Sequence, residues 1–363
     1  MKKLEAQHVQ AAEQVDQTLA AVWRGGEDIA LGPVAVPPLQ PGDVLVRVRL
    51  ATVCGSDRHT VSGRRSQPCP SILGHETVGE IVALGAGGAT SLDGRPLALG
   101  QRVIWSVTFA CGTCDRCRAG VTAKCRTVRK AGHQALDSDW GLSGGYARHV
   151  LLPNGLAIAV VDDDVADAVA APAACATATV MAVIEKAGLL TGRRVMVVGA
   201  GMLGLGAIAA AAWAAASSVT AVDPTPSRRD LARRFGATHV EPSVPEAGDY
   251  CCDVLLEFSG SSAALQAALR TLDVQGVAVL AGSVAPDTPV VVDPESVVRR
   301  QLSIAGVHNY EPRHLGAALS FLQKTRDRFP WTDLVAEPTP LNGIAGLLTT
   351  PAGTTPRSSI APG

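Results

Sequence analysis

The run "CGSDRHTVSGRRSQPCPSILGHE", Cys54 to Glu76, sets cysteine, serine, histidine and acidic side chains close together among turn residues. Thiolate and imidazole are ordinary zinc ligands, and a catalytic zinc takes three protein ligands and keeps a fourth position open. Cys54 and His75 supply two candidates. A third has to come from elsewhere in the chain, and Cys175 in "PAACATATV" stands where a β-rich part gives way to a helical one. Each has a plainer reading: Cys175 as a small buried hydrophobe, His75 as a satisfied core histidine.

A second cluster has a different character. Cys111, Cys114, Cys117 and Cys125 follow C-x2-C-x2-C-x7-C spacing in "CGTCDRCRAGVTAKC". Four thiolates on one compact loop suit tetrahedral zinc in a closed, structural site. An iron–sulfur cluster or a pair of disulfides is the alternative. Both clusters together make the plain readings of Cys54, His75 and Cys175 harder to sustain.

"VMVVGAGMLGLG" puts Gly199, Gly201 and Gly204 in GxGxxG spacing between an apolar strand and a helix. Such glycines allow a tight turn and the close approach of a pyrophosphate to a helix N-terminus. Asp223 ends the next strand, "VTAVD", about 20 residues on, where a carboxylate accepts from a ribose diol and repels a 2′-phosphate. NAD is therefore expected over NADP. Arg228 and Arg229 follow, either flanking the adenine and offering charge to a phosphate, or solvated at a helix start.

Arg64 and Arg65 interrupt the first run. Buried without a partner, two guanidiniums would be costly. They face solvent, pair with an internal carboxylate, or meet an anionic group on the substrate.

These residues need elements to hold them. At 363 residues the chain exceeds one ordinary core, so two domains are expected. With 47% hydrophobic and 18% charged residues it reads as globular, and a net charge of −1 gives no general pull toward nucleic acid or an anionic membrane. The opening "MKKLEAQHVQAAEQVDQTLAAVW" reads as a short polar helix without the apolar core of a signal peptide. The apolar run "GAIAAAAWAAASSV" is short for a bilayer span. Nine cysteines fit metal ligation in a reducing compartment, so a cytoplasmic protein is expected. Short apolar runs between Gly and Pro breaks fill Val36 to Ala170. Strands such as "RRVMVVG", "VTAVD", "DVLLEFSG" and "GVAVLAG" then alternate with helices, as in a doubly wound parallel sheet covered on both faces. The division is 1–174 for the β-rich catalytic domain, completed by 309–363, and 175–308 for the nucleotide-binding domain.

In this order, "CGSDRH", "GHE", the four-cysteine loop, "GGYA", a cysteine between the domains and GxGxxG resemble the zinc-dependent medium-chain alcohol dehydrogenases. "HTVSGRRSQPCPSILGHE" and "GVHNYEP" look like a phosphonate-catabolism-associated subgroup. The resemblance implies a GroES-like catalytic domain beside a Rossmann domain, with two zinc ions per chain, NAD, and a dimer or tetramer. It makes Cys54, His75 and Cys175 the catalytic ligands and the four-cysteine loop the structural site. Ser56 would take the alcohol proton and His59 would pass it to solvent. Asp57 would orient the zinc histidine, and Glu76 would stand behind the metal. Thr179 would touch the nicotinamide side and Arg357 a cofactor phosphate. Gly55 departs from the family, standing where some members have a basic residue at the pyrophosphate. Cys69, Cys251 and Cys252 match no ligand position and read as buried structural thiols. His308 and Tyr310 could border the site, whereas His133, His149, His239 and His314 receive no role. The expected activity is hydride transfer between an alcohol or aldehyde and NAD(H), the arginines gripping a phosphonate or other anion. A neutral polyol or secondary alcohol is the competing substrate, and a silent NAD- and zinc-binding module the reading from another class.

Overall fold

The computed structural model describes residues 15–246, 248, 251–284, 289–350 and 353–363. Strand Val44–Thr52, buried along most of its length, carries the β-rich part. It pairs antiparallel with Glu76–Leu84, His149–Leu152 and Ser359–Ala361. Arg102–Trp105 and Ile158–Val160 extend that sheet. A smaller sheet joins Gln17–Gly25 to Asp28–Ala35 and Ser71–Ile72.

That smaller sheet corrects one expectation. The opening segment was expected to be helical, and its residues 1–14 lie outside the described residues. Gln17–Gly25 is a strand, with Ala20–Trp23 buried. Registry of Val22 with Ala30 and of Trp23 with Ile29 gives its apolar side chains a partner, and that packing overrides the helix propensity of Gln and Ala.

The nucleotide-binding part is a six-stranded parallel sheet in the order His239–Glu241, Ser218–Val222, Arg194–Val198, Cys252–Glu257, Leu272–Leu280, Ser303–Gly306. Relative to chain order this is 3-2-1-4-5-6, the doubly wound arrangement, which leaves a crevice where the order reverses. The central strand Arg194–Val198 is buried almost throughout, as its unbroken apolar run requires. Helix Met202–Trp213 is apolar on all sides and accordingly buried against this sheet.

A continuous helical stretch, Asp167–Ala187, joins the two parts. By length and composition it could cross a membrane, yet 67% of its apolar window is buried inside the protein, as in a core helix. Midway, Ala173–Thr177 widens into a π-helical turn directly after Pro172. Past the sheet, helix Pro312–Thr325 shares the core of the nucleotide-binding part, where Phe321 meets Trp331, and Phe235 stacks on Phe329. Ser359–Ala361 then rejoins the β-rich sheet at Ala51 and Thr52.

The glycine turn has separable requirements. Gly199 has φ +93, and a side chain there would press on Ser259 N at 2.7 Å. A Cβ on Gly204 would lie 1.8 Å from Gly199 O, so helix and strand pack backbone to backbone. A Cβ on Gly201 would meet nothing within 4 Å beyond its own chain neighbours and helix backbone. Gly204→Ala is therefore expected to lower stability by about 1–3 kcal/mol. Gly201→Ala should keep the melting temperature and weaken dinucleotide binding by filling the space a pyrophosphate needs. Melting curves with NADH fluorescence titration check both.

Candidate active site and metal centres

Three different backbone devices bring three ligand atoms together. Cys54 precedes the short helix Gly55–Val61, and Asp57 Oδ2 accepts from its backbone N–H at 3.0 Å. His75 directly precedes strand Glu76–Leu84. Cys175 lies in the π-helical turn, a distortion common at functional sites. Their ligand atoms all lie within 4.8 Å of one another. His75 Nδ1 stands 3.3 Å from Asp57 Oδ1, at ion-pair distance but without hydrogen-bond alignment. That carboxylate favours a proton on Nδ1 and leaves the Nε2 lone pair free to ligate. Asp57 is held in turn by Tyr146, whose hydroxyl donates at 2.9 Å.

A hydrogen bond from Cys175 holds Cys54 well below the ordinary thiol range, against burial and helped by Arg357 and His75. The hydrogen bond to Cys54, with burial, pushes Cys175 well above it. Against burial, the charge of Asp57 raises the His75 pKa, so a metal entering here would displace that proton and the Cys175 one. Two sulfurs and an imidazole are a donor set suited to zinc, with one face open to the cleft.

Glu76 is fully buried behind this triad. Arg357 donates to it from Nε at 2.8 Å and from its second nitrogen at 2.9 Å, and reaches Cys54 Sγ at 3.7 Å. Thr52 Oγ1 adds a donor at 2.6 Å. Burial raises the Glu76 pKa and the Arg357 charge opposes that rise. Arg357, expected at a cofactor phosphate, spends these donors on Glu76 because burial leaves the carboxylate needing a bidentate partner.

A cleft of about 550 Å³ opens over the triad. Ser56 Oγ lies 3.3 Å from His75 Nε2, and His59 lines the wall. Among the described residues no hydrogen bond joins Ser56 to His59. Arg64 is exposed and Arg65 half-buried, and both line the cleft with Thr179, Gly201 and Gly204. Thr179 Oγ1 is tied back to Cys175 O at 2.7 Å. Asp223 accepts from Ala200 N at 2.8 Å and from Thr225 N at 2.9 Å, which fixes it beside the glycine turn. Arg229 caps the strand end through the carbonyls of Asp223 and Pro224, both at 2.8 Å. Arg228 is half-buried and keeps one buried guanidinium nitrogen without a partner. A larger concavity of about 660 Å³ lies against the sheet edge at Leu302 and Ile304.

The four cysteines form the other centre. Cys114 Sγ lies 3.5 Å from Cys117 and 3.9 Å from Cys125, Cys111 lies 4.0 Å from Cys117, and all four sulfurs lie within 4.8 Å of one another. These separations are far beyond a disulfide bond of about 2.0 Å and close to the edge of a zinc–thiolate tetrahedron. Hydrogen bonds from Thr113 and Cys114 draw Cys111 down to about 5, whereas burial and the neighbouring sulfurs push Cys117 up to about 12, so a metal binding here would displace a proton. Of the other cysteines, Cys252 is buried as expected; Cys69 and Cys251 are exposed, correcting their reading as buried thiols.

Residues 40–162 match the alcohol dehydrogenase GroES-like domain, and residues 203–324 the family described as zinc-binding dehydrogenase. The 5-exo-hydroxycamphor dehydrogenase of Pseudomonas putida is 31% identical over 345 residues, covering 91% of this chain and 92% of its own. This chain belongs to the zinc-dependent medium-chain alcohol dehydrogenases. An L-threonine 3-dehydrogenase of Edwardsiella ictaluri is 30% identical over 301 residues, with 78% of this chain and 82% of that protein covered. The fold matches an alcohol dehydrogenase from Thermotoga maritima with a TM-score of 0.88 at 24% identity, over 96% of this chain and 100% of the other. As a member of this family the chain is an oxidoreductase of alcohols that uses zinc and a nicotinamide cofactor.

Two residues around the dehydrogenase cleft have no role in the sequence reading, in contrast to His308 and Tyr310. Lys130 and His133 line it, and the His133 ring lies 5.2 Å from that of His75. His308 lines it too, while Tyr310 sits behind, accepting from Val107 N at 3.2 Å and donating to Ala174 O. No local spacing marks Lys130 or His133, because the cysteine pattern is the strong signal in that stretch.

The two centres should respond differently to mutation. Cys54→Ser or His75→Ala is expected to abolish turnover with little change in melting temperature. Cys114→Ser should lower the melting temperature and the zinc content, since binding at a closed site is coupled to folding. Arg357→Met should destabilise by about 3–5 kcal/mol by stranding Glu76, measured by denaturant unfolding.

Proposed function

We propose that this dehydrogenase oxidises an alcohol bearing a phosphonate or another anionic group, with NAD as hydride acceptor and two zinc ions per chain. The observation that supports the anionic substrate is the cleft's charge. Among the described residues Arg64 and Arg65 line it without a carboxylate partner, and none of the lining residues is Asp or Glu. Names of the relatives point both ways. L-threonine carries a hydroxyl and a carboxylate, whereas hydroxycamphor is an uncharged secondary alcohol, which keeps a neutral substrate as the second reading.

Zinc held by Cys54, His75 and Cys175 would supply Lewis acidity toward the substrate oxygen. Ser56, beside His75, is then the group that takes the hydroxyl proton. His59 passes that proton toward solvent, bridged by a further group because no hydrogen bond joins the two side chains among the described residues. Bound NAD would supply the acceptor for the carbinol hydrogen, which leaves with both electrons of its C–H bond. Carbonyl product, NADH and one proton result. Asp223, fixed by Ala200 N and Thr225 N, is suited to a ribose diol and disfavours a 2′-phosphate. A cytoplasmic dimer or tetramer belongs to the same proposal.

Wild type should turn over hydroxyethylphosphonate with a higher kcat/KM than its uncharged dimethyl ester. A preference for the ester would make the neutral reading correct. Asp223→Ser should raise the NADP-to-NAD ratio of kcat/KM. Wild type preferring NADP would remove the ribose role from Asp223.

A further inference from the structure

The cleft wall beside the ligand triad carries a cation that none of the motifs accounts for. Lys130 closes strand Arg129–Lys130, which pairs with Thr108–Phe109 to form the stem of the four-cysteine loop. Neighbouring side chains on a strand point to opposite faces. Arg129 turns outward, stacking on Phe109 at 4.6 Å and pairing with Asp139 at 2.7 Å, and Lys130 lines the cleft with Arg65 and His308. Its ammonium has no acidic partner among the described residues. Burial lowers its pKa, and the charges of Arg65 and Lys124 lower it further. Like charges in a partly desolvated wall are costly unless an anion sits among them.

His308 adds to the same wall. Lys124 Nζ and His308 Nδ1 are 2.7 Å apart, and an ammonium can only donate, so Nδ1 accepts. Burial and the charges of Lys124, Lys130 and Arg65 hold the ring down to about 4, so it is neutral at pH 7 and carries its proton on Nε2. Arg65, Lys130 and His308 therefore offer donors. The exception is His133, whose Nδ1–H donates to Ala131 O at 2.7 Å and leaves Nε2 as an acceptor.

The cysteine loop is fastened to this wall. Glu311 accepts from Thr122 N at 2.9 Å, from Ala123 N at 3.1 Å and from the Thr122 hydroxyl. Thr122 and Ala123 lie just before the fourth cysteine, and Glu311 follows the segment that brings His308 to the cleft.

We propose that Lys130 and Arg65 form the binding site for the substrate's anionic group, with the four-cysteine loop holding Lys130 at the cleft. This assignment rests on the anionic-alcohol reading. A guanidinium grips two oxygens in a fixed plane and an ammonium adds a point charge, a combination matched to a phosphonate with three oxygens.

The test measures kcat/KM for hydroxyethylphosphonate and its dimethyl ester on wild type, Lys130→Ala, Lys130→Arg and Arg65→Ala. Calorimetric binding of methylphosphonate to each enzyme–NAD complex is measured in parallel, and melting curves verify folding. Lys130→Ala and Arg65→Ala should each lower the anionic-to-neutral ratio about ten- to a hundredfold. Methylphosphonate binding should weaken in step, and Lys130→Arg should retain most of both. A wild type that favours the phosphonate while Lys130→Ala keeps the full ratio overturns the role of Lys130 and leaves the anionic reading standing. A wild type with no preference overturns both. Should Lys130→Ala fail to fold, unaltered methylphosphonate binding in Lys130→Met is the result that overturns the assignment.

Discussion

Three ligand atoms from chain positions 54, 75 and 175 must lie within one metal's reach, and much of the fold serves that constraint. Cys54 depends on a helix start clamped by Asp57, and His75 on the strand it precedes. Cys175 depends on a π-helical turn in the helix joining the two parts. A change of a residue or two in any of these would move a sulfur or a ring nitrogen by several ångströms. The buried Glu76–Arg357 pair ties the returning C-terminal segment to the same point. Because Arg357 also approaches Cys54 Sγ, the charge balance behind the metal site depends on residues from opposite ends of the chain.

Charge on the cleft side is organised differently. Behind the triad each guanidinium or carboxylate is matched: Arg357 to Glu76, Tyr146 to Asp57. Ahead of it, Arg64, Arg65 and Lys130 face the cleft unmatched among the described residues. A net charge of −1 over the whole chain conceals this, since the compensating acids lie elsewhere, as with Asp253 and Asp273 on Arg194. Local imbalance in a desolvated cleft is the kind of feature that selects a ligand by sign.

What the sequence made legible was whatever depends on neighbours in the chain. Four cysteines in C-x2-C-x2-C-x7-C spacing, the Gly199–Gly204 turn and the alternation of apolar strands with helices are local patterns, and the fold class followed from them. The strand Gln17–Gly25 is not legible locally because its stability comes from pairing with Asp28–Ala35, which no local preference reports. The pairing of Arg357 with Glu76 spans 281 residues of chain, so no local spacing reports it. Lys130 went unremarked for the same reason: its meaning comes from Arg65, Lys124 and His308, each brought close only by the tertiary fold.

The central claim is that one cleft holds a metal at one end and an anion at the other. A crystal structure of the zinc-loaded enzyme with NAD and hydroxyethylphosphonate tests it in one measurement, with anomalous scattering locating the metal. The account predicts zinc at Cys54, His75 and Cys175, the hydroxyl beside it and Ser56, and the phosphonate oxygens between Arg65 and Lys130. A phosphonate directed into solvent, or zinc found only among the four cysteines, would contradict it.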